Sequence, residues 1–519
     1  MNADLLKALV LNEWRLRSRR VSSFVILAVV VVLSWLVVAD PQSGHAMMVA
    51  SKQRIAYESQ ALAFGTNLIA SMLFGLVGFY LARGRCQEDL RSGTASVLAA
   101  TPVPNQQLLL SRWLGAFGFL MALGAALMLT LWVLQLVRGE GPLRPLPYLQ
   151  MLVFGLGPGL MLCASLGVLS DAWAPLMGKR GDLLYFTFWA LQFAMIPLTL
   201  GQGMTELSPW LVLDVSGFSP LLIRLTQLMQ VTQVSVGGGT FDPSLTLLYM
   251  PDTLWNAQLL ALRIGSALLA LLPLFLAMRL FHRYAPDRVK LREPGGRWRL
   301  VLLVQKLLRP LTRHLSLLLR LSAYLPGRSR RLLADVSLIL ISQPLLGLAL
   351  LLCVPAGSLL PGEALAGLLT LALALWGVAI SEVGSRDHQA GTAALTAAAP
   401  GGKLERTLRS AASALALGLI VSAPALLRWL DGAPLQALAC VAGLVFVSGA
   451  AALLGQLTGG SRSYLALFLF ALYVSLQSKD VAWLDLLGLN GSASAASVGL
   501  YLSLGLLMGG ALLLLGRRR

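Results

Sequence analysis

Charge is scarce in this chain, and negative charge is scarcest. Only 12% of its residues are charged, 23 acidic against 41 Lys and Arg, while 57% are hydrophobic and the mean hydropathy is +0.74. A water-soluble fold has nowhere to bury so much apolar surface. Reactive side chains are equally thin. The four cysteines, Cys86, Cys163, Cys353 and Cys440, show neither a disulfide framework nor metal-ligand spacing and are expected to be free thiols. His45, His282, His314 and His388 are scattered, without HExxH and without a pair at helical spacing, which argues against a zinc hydrolase. No GxSxG occurs. Gly178-Lys179-Arg180 and Gly401-Gly402-Lys403 lack the upstream glycine and the hydroxyl residue of a phosphate loop, so no ATP hydrolysis and no cofactor is expected in this chain. Asp171, Glu382 and Asp431 stand singly at helix ends, where solvated caps or flanks are expected.

What the chain does hold is long apolar runs. A hydrocarbon core about 30 Å thick takes roughly 20 apolar helical residues to cross, and backbone groups in lipid must pair within their own segment. The expected fold is therefore all-α, a polytopic transmembrane helix bundle of twelve spans. Six lie near Val21–Val38, Ala61–Leu81, Trp113–Val137, Tyr148–Leu169, Leu184–Leu200 and Leu254–Phe281. Six more lie near Val336–Val354, Ala364–Ser381, Ala411–Leu430, Ala437–Leu457, Tyr464–Leu476 and Ala495–Leu515. Leu184–Leu200 and Tyr464–Leu476 are short for a crossing. The net charge of +18 follows this topology: with both termini in the cytoplasm, 32 of the 41 cations fall in cytoplasmic segments. The expected location is a cell's inner (cytoplasmic) membrane, and the charge gives no reason to invoke nucleic acid. Arg263, Arg279 and Arg428 fall in or at the ends of spans, where structural roles such as snorkelling are expected.

The glycine run Gly155-Leu156-Gly157-Pro158-Gly159 sits within an apolar span and predicts a helix break or close helix contact, not a dinucleotide site. Gly237-Gly238-Gly239 reads as a flexible outer loop, and Gly217–Gln230 as a short helix on the outer surface. Residues 282–334 hold thirteen basic and two acidic side chains. They read either as an amphipathic helix on the inner leaflet, broken at Pro310, or as a plain linker obeying the positive-inside bias. The expected domains are thus 1–281, a first six-helix unit with an amphipathic entry helix, 282–334, a basic linker, and 335–519, a second six-helix unit.

A polar stretch, EDLRSGTASVLAATPV, runs from Glu88 to Val103, and RDHQAGTAALTAAAP runs from Arg386 to Pro400. An offset of 298 residues lays Asp89 on Asp387, Gly93-Thr94 on Gly391-Thr392, and Pro102 on Pro400. Each copy follows the second run of its half, which predicts two parallel six-helix repeats. Asp89 is placed to favour a helix start, Gly93 to permit close backbone approach, and Leu98-Ala99-Ala100 to offer a small apolar face before Thr101-Pro102 ends the turn. The bland reading is an inner turn with no partner.

At these residues the sequence resembles the membrane subunits of ABC exporters of the type-2 (ABC-2) permease family. In that family the loop between the second and third spans carries an acid, a GT pair, a leucine-containing turn and a TP or SP step, and it seats in a separate ATPase. The resemblance implies a twelve-span fused permease that moves an unidentified substrate outward, with MgATP bound by two copies of a partner ABC-type ATPase. It assigns Glu88, Asp89, Gly93, Thr94, Leu98, Pro102, Asp387, Gly391, Thr392 and Pro400 to the coupling loops. In the second copy Ala399 and Gly401 replace Thr101 and Val103. Partners would then be the ATPase, membrane lipids, and accessory periplasmic or extracellular proteins. Two other classes compete: a polytopic membrane enzyme such as a lipid-modifying transferase, and a non-transporting membrane scaffold.

Overall fold

The computed structural model describes residues 3–38, 45–177, 179–201, 206–231, 234–281, 317–342, 344–398, 402–477 and 481–517. The chain divides into two compact units, Met1–Glu293 and Pro294–Arg519. It is mostly helical, and among the described residues seven helices are long and apolar enough to cross a membrane. These are Ser59–Ala82, Asn105–Arg138, Pro145–Ala172, Ala257–Leu280, Gly402–Gly432, Pro434–Thr458 and Ala495–Gly516. Shorter apolar helices cover Ser23–Val32, Ala364–Ile380 and Arg462–Leu476. The protein is a membrane-embedded helical bundle.

The first unit begins with α1 (Ala3–Ser18), an amphipathic helix, and α2 (Val21–Val37). Next come α3 (Ser59–Ala82), the short α4 (Arg85–Arg91) and α5 (Thr94–Ala100), and α6 (Asn105–Arg138). With 34 residues α6 is about 51 Å long, more than a bilayer core requires, so one end stands outside the hydrocarbon. α1 lies along α6 because α6 offers glycines there: a Cβ on Gly115 would stand 2.6 Å from the Glu13 Cβ, and one on Gly118 would stand 3.3 Å from the Trp14 ring.

The chain returns as α7 (Pro145–Gln150), a π-helical turn at Met151–Leu156, and α8 (Gly157–Ala172). The break expected at the glycine run is this π turn, and Gly155 lets the Asn67 side chain of α3 lie against the backbone. α9 (Lys179–Gly201), α10 (Phe218–Met229), α11 (Ala257–Ala270) and α12 (Leu272–Leu280) complete the unit. The surface helix expected near Gly217–Gln230 is α10, entered through Gly217 at φ +77°. The Asp214 carboxylate accepts the Gly217 and Ser219 N–H groups at 3.1 and 2.7 Å, satisfying donors at the start of the helix. α10 buries one face, Leu221, Leu222, Ile223 and Leu225.

Arg263 of α11 ties this region together. Fully buried, it donates to the Phe154 and Gly155 carbonyls at the π turn (2.8 and 2.7 Å) and to those of Asp214 and Val215 (3.1 Å each). The structural role expected for this arginine is thus a bridge between backbone segments.

The all-α expectation needs a correction in this unit. A three-stranded sheet of order β2-β1-β3 joins β1 (His45–Ala50), β2 (Gln53–Arg54) and β3 (Val234–Thr240), with β1 antiparallel to both neighbours. Ser51 and Lys52, both at positive φ, turn β1 into β2. The glycines expected to form a flexible loop belong to β3. Gly239 pairs with Ala46, and a Cβ there would press to 3.0 Å on Val49, so the strand can lie on β1 only because the residue is small.

The second unit has its own entry helix, α13 (Gly327–Ser342), followed by α14 (Pro344–Leu359). The span expected at Val336–Val354 is therefore divided between two helices. Pro344 explains the division, since a proline disfavours helical geometry in the residue before it. A Cβ on Gly347 would lie 2.8 Å from the Leu340 carbonyl, so the turn needs its glycine. α15 (Gly362–Ile380), the short α16 (Arg386–Gln389) and α17 (Ala393–Ala397), and α18 (Gly402–Gly432) follow. α19 (Pro434–Thr458), α20 (Arg462–Gln477) and α21 (Ala495–Arg517) end the chain. Trp376, fully buried, centres this core and donates its indole N–H to the Ala414 carbonyl at 2.9 Å. The amphipathic reading of the linker, including Pro310, lies outside the described residues over 282–316.

One device occurs in both units. Arg138 of α6 donates to the Val38 carbonyl just after α2 and lies 4.4 Å over the Trp35 ring. Arg428 of α18 donates to the Ser358 and Leu360 carbonyls at the end of α14, at 2.9 and 2.6 Å. Each cation meets the carbonyl-bearing end of a helix dipole, which is more specific than the snorkelling expected for Arg428.

Candidate functional site at the two helical corners

Each polar stretch folds as two short helices joined at a glycine. In the first, Gly93 takes φ +74° between α4 and α5; in the second, Gly391 takes φ +69° between α16 and α17. A Cβ on either would meet nothing within 4 Å, so the glycine is required by backbone angle and not by contact.

The hydrogen bonds correspond as well. The Thr94 hydroxyl donates to the Asp89 carbonyl at 3.3 Å, and the Thr392 hydroxyl to the Asp387 carbonyl at 3.4 Å. Each acid then pairs with an arginine of the long helix that follows, Asp89 with Arg112 and Asp387 with Arg406, both at 2.6 Å.

Glycines of the fourth long helix bring the backbone under each corner. A Cβ on Gly167 of α8 would stand 2.8 Å from the Ala82 Cβ, and one on Gly455 of α19 would stand 2.7 Å from the Gly384 Cα.

The first corner is the more firmly held. Asp171, expected to be solvated, is buried at the end of α8 and accepts the Gly84, Arg85 and Cys86 N–H groups at 2.7 to 3.4 Å. A carboxylate from a distant helix thereby satisfies the first donors of α4 and complements its dipole. Glu13 of α1 meets the Arg85 guanidinium at 3.0 Å and pairs with Arg17, while Arg20 pairs with Glu88. Burial raises the Glu13 pKa, but the guanidiniums of Arg17, Arg85 and Arg112 outweigh it and hold the carboxyl below its ordinary value. Cys86 lies beneath this network, where burial pushes its thiol up to about 12; at neutral pH it is an inert donor-acceptor beside Arg112.

Asp89 therefore sits in the last turn of α4, not at a helix start. It is 1% exposed and paired with both Arg112 and Arg85. Leu98 likewise turns inward, against the cluster of Leu108, Leu109 and Trp113. The exposed surface includes Ser92, Gly93, Thr94, Ser96, Val97, Ala99, Ala100 and Pro102, with Glu88 half-exposed beside it. Val97 is its one large apolar side chain, 66% exposed. Thr101 turns its hydroxyl back to the Leu98 carbonyl at 2.8 Å and closes the corner.

In the second corner Gly391, Ala393, Ala394, Leu395, Ala397 and Ala398 face outward, Asp387 and Thr392 are half-buried, and Leu395 is 75% exposed. Pro400 lies outside the described residues. Val97 and Leu395 stand at the same offset of 298 residues as the repeated acids. The leucine-containing turn of the first copy points to Leu98 in the sequence, whereas the alignment of the two copies holds the signal for Val97 and Leu395. Arg112, Asp171 and Glu13 carried no such signal, since each reaches its corner from another helix.

Comparison of the chain with protein-family models, with curated proteins and with solved structures finds no match.

Proposed function

We propose that the protein is the membrane subunit of an ATP-driven exporter, a fused permease of twelve spans arranged as two parallel six-helix repeats, and that its two helical corners seat a separate ATPase. The observation that carries this reading is the pair of corners. Each joins an acid anchored to the next helix, a left-handed glycine, a threonine turned back on the acid's carbonyl, and one large exposed apolar residue among alanines. A plain turn has no need to repeat an exposed Val97 as an exposed Leu395. A groove on a partner does, because an apolar anchor among small residues is what a buried contact requires.

The order of helices in the two units supports the repeat. Each has an entry helix, two apolar helices, a corner, a helix of more than thirty residues, and three further apolar segments. Among the described residues seven helices satisfy span length outright; the proposal gives the remaining crossings to α2, α9, α14, α15 and α20, which are shorter, less apolar or both. In this proposal both termini and both corners face the cytoplasm, two ATPase copies bind, and their closure on MgATP moves the corners together. The chain supplies the pathway and the partner supplies hydrolysis. Glu88, Asp89, Gly93, Thr94, Leu98, Pro102, Asp387, Gly391, Thr392 and Pro400 then act as a framework that presents Val97 and Leu395.

The test is purification of the full chain in mild detergent with its bound proteins identified and assayed for ATP hydrolysis. An ATPase recovered in two copies per chain supports the assignment. A chain that purifies alone and stimulates no ATPase would return the corners to ordinary turns.

A further inference from the structure

The first unit contains a partly open cavity of about 30 Å³ between α3, α8 and α9, lined by Phe74, Gly75, Leu160, Cys163, Trp189 and Phe193 among others. Its depth follows from the helices that wall it. Phe74 and Gly75 lie near the middle of Ser59–Ala82, and Leu160 and Cys163 near the middle of Pro145–Ala172, both long and apolar enough to cross a membrane. The cavity therefore lies at the level of the hydrocarbon core.

Each polar side chain in its walls already makes a hydrogen bond within the protein. The Ser71 hydroxyl donates to the Leu68 carbonyl at 2.7 Å, the Trp189 indole N–H to Met72 at 3.1 Å, and the Gln192 amide to Leu213 at 3.3 Å. Tyr185 donates to the Gly75 carbonyl, Ser216 to the Asp214 carboxylate, and the Cys163 thiol faces the Gly75 carbonyl at 3.4 Å. The volume would admit water, but a buried water needs two to four polar partners, and Gln192 alone keeps a donor, its second amide N–H, together with its carbonyl oxygen, beyond the bonds given above. What remains for an occupant is aromatic and aliphatic contact, in a medium made of alkyl chains.

We propose that this cavity takes the end of an acyl chain of a membrane lipid, held against the α9 aromatic face of Trp189 and Phe193. The proposal stands apart from the exporter reading, since it requires only that the unit is embedded in a bilayer. Gly159 provides the means of closing the site. It lines the cavity, and a Cβ added there would meet only the Val215 carbonyl, at 3.8 Å, so Gly159→Ala places a methyl without displacing a neighbour and Gly159→Leu extends further from the same point to fill the space.

The experiment reconstitutes the full chain into phosphatidylcholine vesicles containing a phospholipid with a photoactivatable diazirine at its acyl terminus, then maps adducts by peptide mass spectrometry. A second lipid carries the diazirine next to the glycerol. The terminal probe should label Leu160 and Trp189, which are buried from solvent, and the glycerol-proximal probe should not. Gly159→Leu, or Gly159→Ala if the leucine variant does not fold, should lose those adducts while exposed Leu129 and Val133 of α6 stay labelled. Labelling of Leu129 and Val133 without the cavity residues in the unaltered protein overturns the proposal. So does cavity labelling that is indifferent to probe depth or that persists in a folded Gly159 variant.

Discussion

Asp89 and Asp387 occupy the same place in two similar corners but differ in surroundings, and the difference sets what their partners are worth. The side chains of Asp89 and Arg112 are 1% and 3% exposed, whereas those of Asp387 and Arg406 are 37% and 26% exposed. Removing one member of a buried pair leaves an uncompensated charge and costs about 3–5 kcal/mol, while an exposed pair is worth about 0–1 kcal/mol. Arg112→Met should thus lower the melting temperature in detergent far more than Arg406→Met. The double variant Asp89→Leu with Arg112→Met should regain much of the loss, because no charge is then stranded. Equal shifts for the two single variants would show that burial does not govern these pairs. The same contrast explains how much of the site was legible. The acids, glycines and threonines announced themselves by local spacing. Whether a given residue faced inward did not, because Asp89 is buried against Arg112 of α6, which no local pattern connects to it, and Leu98 packs on residues of α6.

Arg263 acts at the scale of elements. A π turn shifts the helical ladder by one residue, and carbonyls near such a turn need other donors. Arg263 serves two of them, at Phe154 and Gly155, and with the rest of its guanidinium holds the turn that begins α10. Arg263→Met should leave four acceptors short of this donor in a dry region, at about 1–3 kcal/mol each where they stay unsatisfied. The Asp214–Ser216 turn should then release, seen as faster proteolysis between residues 206 and 256 in vesicles. Arg263→Lys should not restore protection, since an ammonium has three donors on one centre and no planar fork to bridge two segments. An unchanged cleavage pattern in Arg263→Met would mean that α10 is held by its apolar face alone. The elements most readable in the sequence were the long apolar helices, where composition alone decides. The sheet was not readable, because VSVGGGT has the local propensity of a loop and becomes a strand only by pairing with HAMMVA far away in the chain. The division at Ser342–Pro344 was hidden because apolar residues run on both sides of it, although Pro344 marked it.

At the scale of the whole molecule the corners form a pair, and the proposed function requires both. They are not held alike: the first is fixed by α1, α6 and α8 through Glu13, Arg112 and Asp171, and the second by a half-exposed ion pair to α18. A preformed contact loses less freedom on binding, so the first corner should hold its ATPase more tightly than the second. Val97→Asp and Leu395→Asp place a charge where each corner offers its apolar anchor, and both positions are exposed enough that folding should be unaffected. Each single variant should retain one bound ATPase copy per chain instead of two, and the copy left by Leu395→Asp should survive washing longer than the copy left by Val97→Asp. Transport into vesicles should fail in both, because the proposed function has closure of two ATPases move two corners at once. The double variant should carry no ATPase while keeping the melting temperature of the unaltered chain. If both single variants keep two copies and full turnover, Val97 and Leu395 are not the anchors, and the likeness of the two corners records a shared fold without a shared partner.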